Sequence, residues 1–149
     1  MTGDDRLRLI ALDAEDLAVL STYVQDAVLK VGDIRWMAGE KRFLLAMNRF
    51  AWDALGGTRR KREYQRRRAA LHFARVESIR SVGIDRTSQD SVLELLAIRF
   101  EPREEPSGDV VLDFAGGPTI RLSVECLEAQ LTDLGPTWST AHVPRHVLA

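Results

Sequence analysis

One cysteine, Cys126, is the whole thiol content of the 149 residues, so no intrachain disulfide can form and a reducing compartment is expected. Apolar runs are only a handful of residues long, against the ~20 needed to cross a bilayer. The opening Met1-Thr2-Gly3-Asp4-Asp5 is polar and acidic, with no basic stretch leading into an apolar one, which argues against a secretory signal. These absences together predict a cytoplasmic protein. Also missing are a glycine-rich phosphate loop, a nucleophile elbow and a zinc-ligand quartet. No cofactor and no metal are therefore expected, and the balance leans away from an enzyme.

Core material is plentiful: 45% of the residues are hydrophobic and 29% charged. That composition and length suit one folded domain over 1–149, with a compact part at 6–138 and a tail at 139–149. The net charge of −1 hides a strong asymmetry. Residues 59–68 read Arg-Arg-Lys-Arg-Glu-Tyr-Gln-Arg-Arg-Arg, seven cations and one carboxylate, a local charge of +6 that leaves −7 on the remainder.

Local patterning predicts a short strand over 7–12 and then a helix over 14–29. Asp13 is its N-cap, Glu15 and Asp16 sit in the first turn, and Leu17, Leu20, Val24, Ala27 and Val28 follow at helical spacing. Gly39-Glu40 suits a hairpin turn that sets Trp36 opposite Phe43 and Ile34 opposite Leu45. The apolar parity of that second strand switches after Met47, from Met47 to Phe50 and Trp52. A bulge near Asn48-Arg49, or burial on both faces, would account for it. Residues 53–68 read as a basic inter-strand loop, mobile over 59–65, with Arg66, Arg67 and Arg68 leading into a strand near 69–75. A bend or a further strand follows over 76–84.

Residues 92–100 are apolar on both faces, as in a central strand covered by a helix. Val110–Phe114 and Ile120–Val124 alternate around Gly116-Gly117-Pro118, and hydrophobic register favours pairing Phe114 with Ile120 and Leu112 with Leu122. Leu127, Leu131 and Leu134 suggest a last helix over 124–134, stopped by Gly135-Pro136, after which Trp138 packs back on the domain. The expected fold is α+β: an antiparallel meander of about six or seven strands between an N-terminal and a C-terminal helix. That order resembles the pleckstrin-homology-like architecture. Phe43, Leu45, Phe73, Leu96, Ile98, Phe100, Leu112, Ile120, Leu122 and Leu127 should form its core.

The ordered set LIALDAEDLAVLSTYVQDAVLKVGDIRW, KRFLLAMNRFAW, RRRAALHFARV, LLAIRFEP and FAGGPTIRLSVECLEAQLTDLGPTW resembles a family of small bacterial proteins, domain of unknown function 2948. The similarity runs over about nine-tenths of the chain, with the stretch from Ala54 to Gln65 matching least. It implies one compact domain in a bacterial cytosol. It implies no activity, cofactor or catalytic residue.

The basic run is the one segment that suggests a partner directly. Arg59, Arg60, Lys61, Arg62, Arg66, Arg67 and Arg68 could contact a polyanion by releasing its counterions, with Tyr64 available to stack on a base. A solvated connection is the plainer reading. Cys126, in the first turn of the expected last helix, has no histidine indicated beside it, so a plain half-buried cysteine is favoured over a nucleophile. His72 lies in a strand and reads as structural rather than catalytic. His142 and His146 have metal-ligand spacing, but Pro144 between them breaks the helix such a pair needs. Glu101, Glu104, Glu105 and Asp109 lack the ligand pattern of a calcium loop and read as a charged turn. The leading expectation is a small non-catalytic binding or regulatory module, engaging a protein partner or a second copy through a sheet edge or helix face. Next comes a nucleic-acid- or ribosome-associated protein using 59–68, and then a small enzyme whose site is assembled from residues distant in sequence.

Overall fold

The computed structural model describes residues 6–50, 65–134 and 138–139. Among these the elements are β1 (Arg8–Ala11), α1 (Ala14–Tyr23), β2 (Val28–Lys30), β3 (Ile34–Met37), β4 (Arg42–Phe50) and β5 (Gln65–Phe73). They continue with β6 (Val76–Val82), β7 (Val92–Pro102), β8 (Gly108–Phe114), β9 (Thr119–Val124), β10 (Ala129–Asp133) and β11 (Trp138–Ser139). The strands run β1-β10-β5-β4-β2-β7-β8-β9-β6, with β3 also beside β4 and β11 beside β5. Every pairing is antiparallel. The chain is therefore mostly β, and the expected α+β architecture with a helix at each end is overturned.

The N-terminal helix exists but is short. Asp13 caps it, its Oδ1 accepting the Asp16 N–H at 2.8 Å, and Leu17 and Leu20 are buried. It stops at Tyr23 rather than near 29: the Val24 N–H closes the last turn on the Ser21 carbonyl at 3.2 Å, and Asp26 then adopts φ 66° in the left-handed region. Val24 and Ala27 are still buried, but by β-type contacts: the Asp26 N–H donates to the Leu95 carbonyl and the Leu95 N–H to the Ala27 carbonyl, each at 2.8 Å.

The C-terminal helix does not exist. After β9 the chain bends at Glu125-Cys126 and continues as β10, so the segment expected to coil is extended. Leu127, Ala129, Leu131 and Asp133 are the buried side chains, a period of two, whereas Leu134 is half exposed. An inward aspartate and an outward leucine disguise the alternation as a helical stripe. The same disguise operates in β4, where Phe43, Leu45, Met47 and Arg49 are buried in unbroken alternation. β4 pairs with β5 without a register shift from Phe43↔Phe73 to Phe50↔Arg66, so the bulge expected near Asn48-Arg49 is absent. The strand keeps its faces by burying an arginine.

The first hairpin has the expected register, Ile34↔Leu45 and Trp36↔Phe43, although its turn is a 3-10 turn over Ala38–Glu40 with Lys41 left-handed. The β8–β9 hairpin differs by two residues from expectation, pairing Leu112 with Ile120 and Val110 with Leu122. Gly116 and Gly117, both at positive φ, make the turn with Ala115, and the Phe114 N–H donates to the Pro118 carbonyl at 2.9 Å. A shift of two preserves the faces, so Leu112, Ile120 and Leu122 are buried as expected.

In β7 a bulge lies between Leu95 and Ala97. It sends Leu93, Leu95 and Ile98 inward and leaves Val92 and Leu96 exposed. Leu96 is thus a misplaced core residue, and Phe100 packs only partly buried against the core. The Ile98 N–H, just past the bulge, donates to Ser21 Oγ of α1 at 2.9 Å. Opposite the end of β7, an added Cβ at Gly108 would lie 2.5 Å from Phe100 Cζ and 2.7 Å from the Glu101 carbonyl oxygen. Gly108→Ala is therefore expected to cost roughly 1–3 kcal/mol in a urea melt, because backbone as well as ring must shift. A variant as stable as the parent would show that β8 has room to move.

Among the described residues, 26 buried apolar side chains form one cluster drawn from α1 and from both ends of the strand path. Two chain stretches are shared by its halves: β5 leads through left-handed Arg75 into β6, and β9 leads through the bend into β10. α1 packs against β1 and β7 and fills the opening between them. On the other side β3 pairs only with β4, and β6 pairs only with β9. No strand or helix among the described residues fills that second seam.

Candidate functional site

The seam between β3 and β6 is a groove of about 690 Å³, within the range typical of ligand sites. Its floor is Phe43 and Ile120, both buried. Ile34 and Trp36 form the β3 wall, and Ile79 of β6 with Ile84 of the following loop forms the other; all four are half-buried. These side chains face the groove because strand alternation turns Ile34 and Trp36 inward with Leu45 and Phe43, and Ile79 inward with Leu122. The groove is bounded at both ends. At one, the Val76 N–H donates to the Lys41 carbonyl at 2.9 Å. At the other, the Val31 and Gly32 N–H groups donate to the Ser91 and Gln89 carbonyls, also at 2.9 Å. Gly32 permits the second closure, since a Cβ there would meet the Gln89 carbonyl oxygen at 3.1 Å and its Cβ at 3.2 Å.

Three arginines, Arg35, Arg80 and Arg86, stand exposed at the rim, and no carboxylate among the described residues lines the groove. Carboxylates close by in sequence are engaged elsewhere. Asp33 pairs with Arg68 at 3.2 Å. Asp85 folds over its own turn, accepting from the Thr87 N–H and hydroxyl and the Ser88 hydroxyl, which holds its carboxyl below the usual range. Arg35 donates to the Gly32 carbonyl, and Arg80 and Arg86 make no salt bridge among the described residues. An apolar trough whose charged lining residues are all cationic is complementary to a ligand with an apolar body and an anionic group.

The residues singled out by sequence fall elsewhere. Arg59, Arg60, Lys61 and Arg62, the expected mobile loop over 59–65 up to Tyr64, and the tail with His142 and His146 lie outside the described residues. So does any packing of the Trp138 side chain. β5 begins at Gln65, so Arg66, Arg67 and Arg68, expected to lead into a strand near 69–75, stand within that strand. Arg66 lies over the Phe50 ring, 4.3 Å from its centroid, Arg68 bonds Asp33 and Asn48, and Arg67 is fully buried.

Arg67 belongs to a buried cross-strand cluster. Arg49 of β4 is paired directly with Arg67 of β5, and Asp133 of β10 receives both. Arg49 makes a two-pronged contact, Nε and Nη2 each 2.9 Å from Asp133 Oδ1 and Oδ2, and Arg67 Nη1 lies 3.2 Å from Oδ2. The Leu7 N–H donates to Oδ2 at 2.8 Å. Burial alone would push the Asp133 carboxyl up. The Arg49 and Leu7 hydrogen bonds, with the charges of Arg49 and Arg67, outweigh it and hold the group below its ordinary value.

His72 is on the outer face of β5, with Arg42 Nη1 3.3 Å from its Nε2. Partial burial and the Arg42 charge hold the imidazole below its usual pKa, against the pull of Glu128. Among the described residues no carboxylate or nucleophile is hydrogen-bonded to it. Cys126 is half-buried beside Leu12, Phe100 and Leu127 in a separate recess of about 470 Å³, at a strand bend rather than a helix start. Glu101 and Asp109 are held by Arg121, 2.8 Å from each, and Arg103 and Arg99 extend the network to Asp109 and Asp113. That array is an ion-pair lattice on the outer face of β7, β8 and β9. No group of three or more metal-ligating side chains occurs among the described residues, and no helix among them is long and apolar enough to cross a membrane.

Sequence reasoning missed the groove itself. Arg80 and Arg86 are near neighbours in the chain, but Arg35 comes from the distant β3, and only the unpaired seam between β3 and β6 brings all three to one rim. A family model described as "Protein of unknown function (DUF2948)" matches residues 7–146. No curated protein and no solved structure matches the chain.

Proposed function

The chain belongs to this family of unknown function, and from that premise we propose that it is a non-catalytic binding module whose site is the groove between β3 and β6. Its ligand has an extended apolar portion and at least one anionic group. The observation that carries this reading is the rim of three arginines, none in a salt bridge among the described residues, over an apolar floor and walls. Exposed arginines beside water-excluding walls bind an anion more strongly than the same charges on open surface, because the local dielectric is lower. The converging nucleophile, base and oxyanion donors that chemistry requires are not what lines the groove.

A direct test uses 8-anilinonaphthalene-1-sulfonate, which joins an apolar ring system to a sulfonate. The folded protein should bind it with quenching or shift of Trp36 emission, and binding should weaken with salt. The R80S/R86S double variant should lose about tenfold in affinity, ~1.4 kcal/mol, with an unchanged urea midpoint. Equal affinity in parent and variant, or no saturable binding, would overturn the reading.

A second reading rests on the opposite side of the sheet. Outward positions of β1, β10, β5 and β4 carry Arg8, Arg66, Arg68 and Arg42, of which Arg68 is already paired with Asp33. With Arg59, Arg60, Lys61 and Arg62, this face would contact a polyanion through its phosphates, though Arg67 is buried and takes no part. Retention on heparin that falls with salt, and is lost on changing residues 59–62 to Ser, supports it. Failure of heparin, RNA and DNA alike to bind near physiological salt removes it.

A further inference from the structure

Resting on the groove reading, we infer that its occupant is an acidic, extended peptide segment of a partner protein that adds as a strand to the free edge of β6. The groove differs from a closed ligand pocket in one respect: its long wall is a strand edge. β6 is the end of the strand path and, among the described residues, pairs only with β9. Its sole other backbone bond among those described is the Val76 N–H to Lys41, at the groove's closed end. The bulge between Val76 and Ser78 and the left-handed Gly83 confine the regular edge to residues 78–82. Such an edge is a template for one more strand, with ladder bonds giving affinity and pockets for alternate side chains giving specificity.

The side chains around that edge define the segment's chemistry. A strand laid along β6 turns every second side chain toward the groove, where Trp36, Ile34 and Ile79 accept apolar groups. The intervening side chains meet Arg80, Arg86 and Arg35, which suit Asp or Glu. A second copy of this chain does not fit. Pairing β6 with its own image would set the same arginines against one another, a like-charge opposition that destabilises a ladder. The end closures at Lys41–Val76 and Gly32–Gln89 limit the inserted stretch to about the length of the edge, five residues in regular pairing.

The probe is a capped peptide alternating Asp and Val over six residues, compared with the same peptide N-methylated at alternate nitrogens on one edge and with a Lys-Val peptide. Amide hydrogen exchange is followed for 78–82 in the full chain. The expected result is saturable binding of Asp-Val, slowed exchange at two or more of residues 78–82, at least tenfold weaker binding after methylation of one edge, and none by Lys-Val. R80S/R86S should weaken Asp-Val about tenfold. If 8-anilinonaphthalene-1-sulfonate binds as described but Asp-Val does not, or if methylation on either edge changes nothing, strand addition is wrong while the groove site stands. If neither probe binds, both fall together.

Discussion

Asp133→Ala should destabilise the protein by about 3–5 kcal/mol, the largest single loss expected, because it strands two fully buried guanidinium groups from a carboxylate that contacts both. It also removes the acceptor of the Leu7 N–H, which helps dock β1 on β10. A loss below ~1 kcal/mol in a urea melt would mean that other groups hold Arg49 and Arg67 in place. The titration of Asp133 makes a second, independent statement. Its folded pKa lies below the unfolded value of ~3.9, so its contribution is fully present above about pH 4. It is lost as pH falls through the folded pKa. Stability of the parent should therefore drop on acidification below pH 4, and D133N, already uncharged, should show a shallower drop there. Parallel acid limbs would exclude Asp133 as a source of the pH dependence. His72 acts at higher pH and in the same direction. With its pKa held below the ordinary imidazole value, its small contribution is present above about pH 6.5 and fades as pH falls.

Phe73→Ala is the second large effect, about 3–5 kcal/mol. Phe73 is 1% exposed and pairs across the ladder with Phe43, which is 0% exposed, so its removal opens a void beneath the groove floor. Phe100→Ala should cost clearly less, because that ring is only half-buried at the strand end. Leu96→Ser, at a residue 44% exposed within the β7 bulge, should change stability by no more than about 0.5 kcal/mol. The order Phe73, Phe100, Leu96 in urea midpoints tests the bulge directly. If Leu96 proved costlier than Phe100, the side chains of β7 would be assigned to the wrong faces.

Those comparisons also show where sequence reasoning succeeds. Where the inner face is wholly apolar, period-two alternation gave both the strands and their facing: Ile34, Trp36, Phe43 and Leu45 in one hairpin, and Leu112, Ile120 and Leu122 in another. Asp13 marked the helix start for a local reason, a side-chain oxygen meeting a free N–H three residues on. Reasoning failed wherever a charge was buried. Arg49, Arg67 and Asp133 occupy inner positions on β4, β5 and β10, and each spoils an alternation that is otherwise intact. A reader of one strand at a time must treat an arginine as outward-facing, because its partner lies 84 or 66 residues away. From that one error came the phantom bulge in β4 and the phantom helix at 124–134. The candidate site was illegible for a different reason. It is defined by two strands that do not pair, and the absence of a pairing leaves no mark on composition or period.

The buried ionic cluster also sets an order of events during synthesis. Arg49 and Arg67 leave the ribosome 84 and 66 residues before the carboxylate that receives them. At ~5–20 residues per second, Asp133 follows Arg67 by about 3–13 s. During that interval the β4 and β5 segments carry two cations on the face that is dry in the folded protein, without the carboxylate that receives them. Only when β10 arrives can that face close, and β1 can then dock on β10 through the Asp133–Leu7 bonds. The first strand made is thus among the last to be seated.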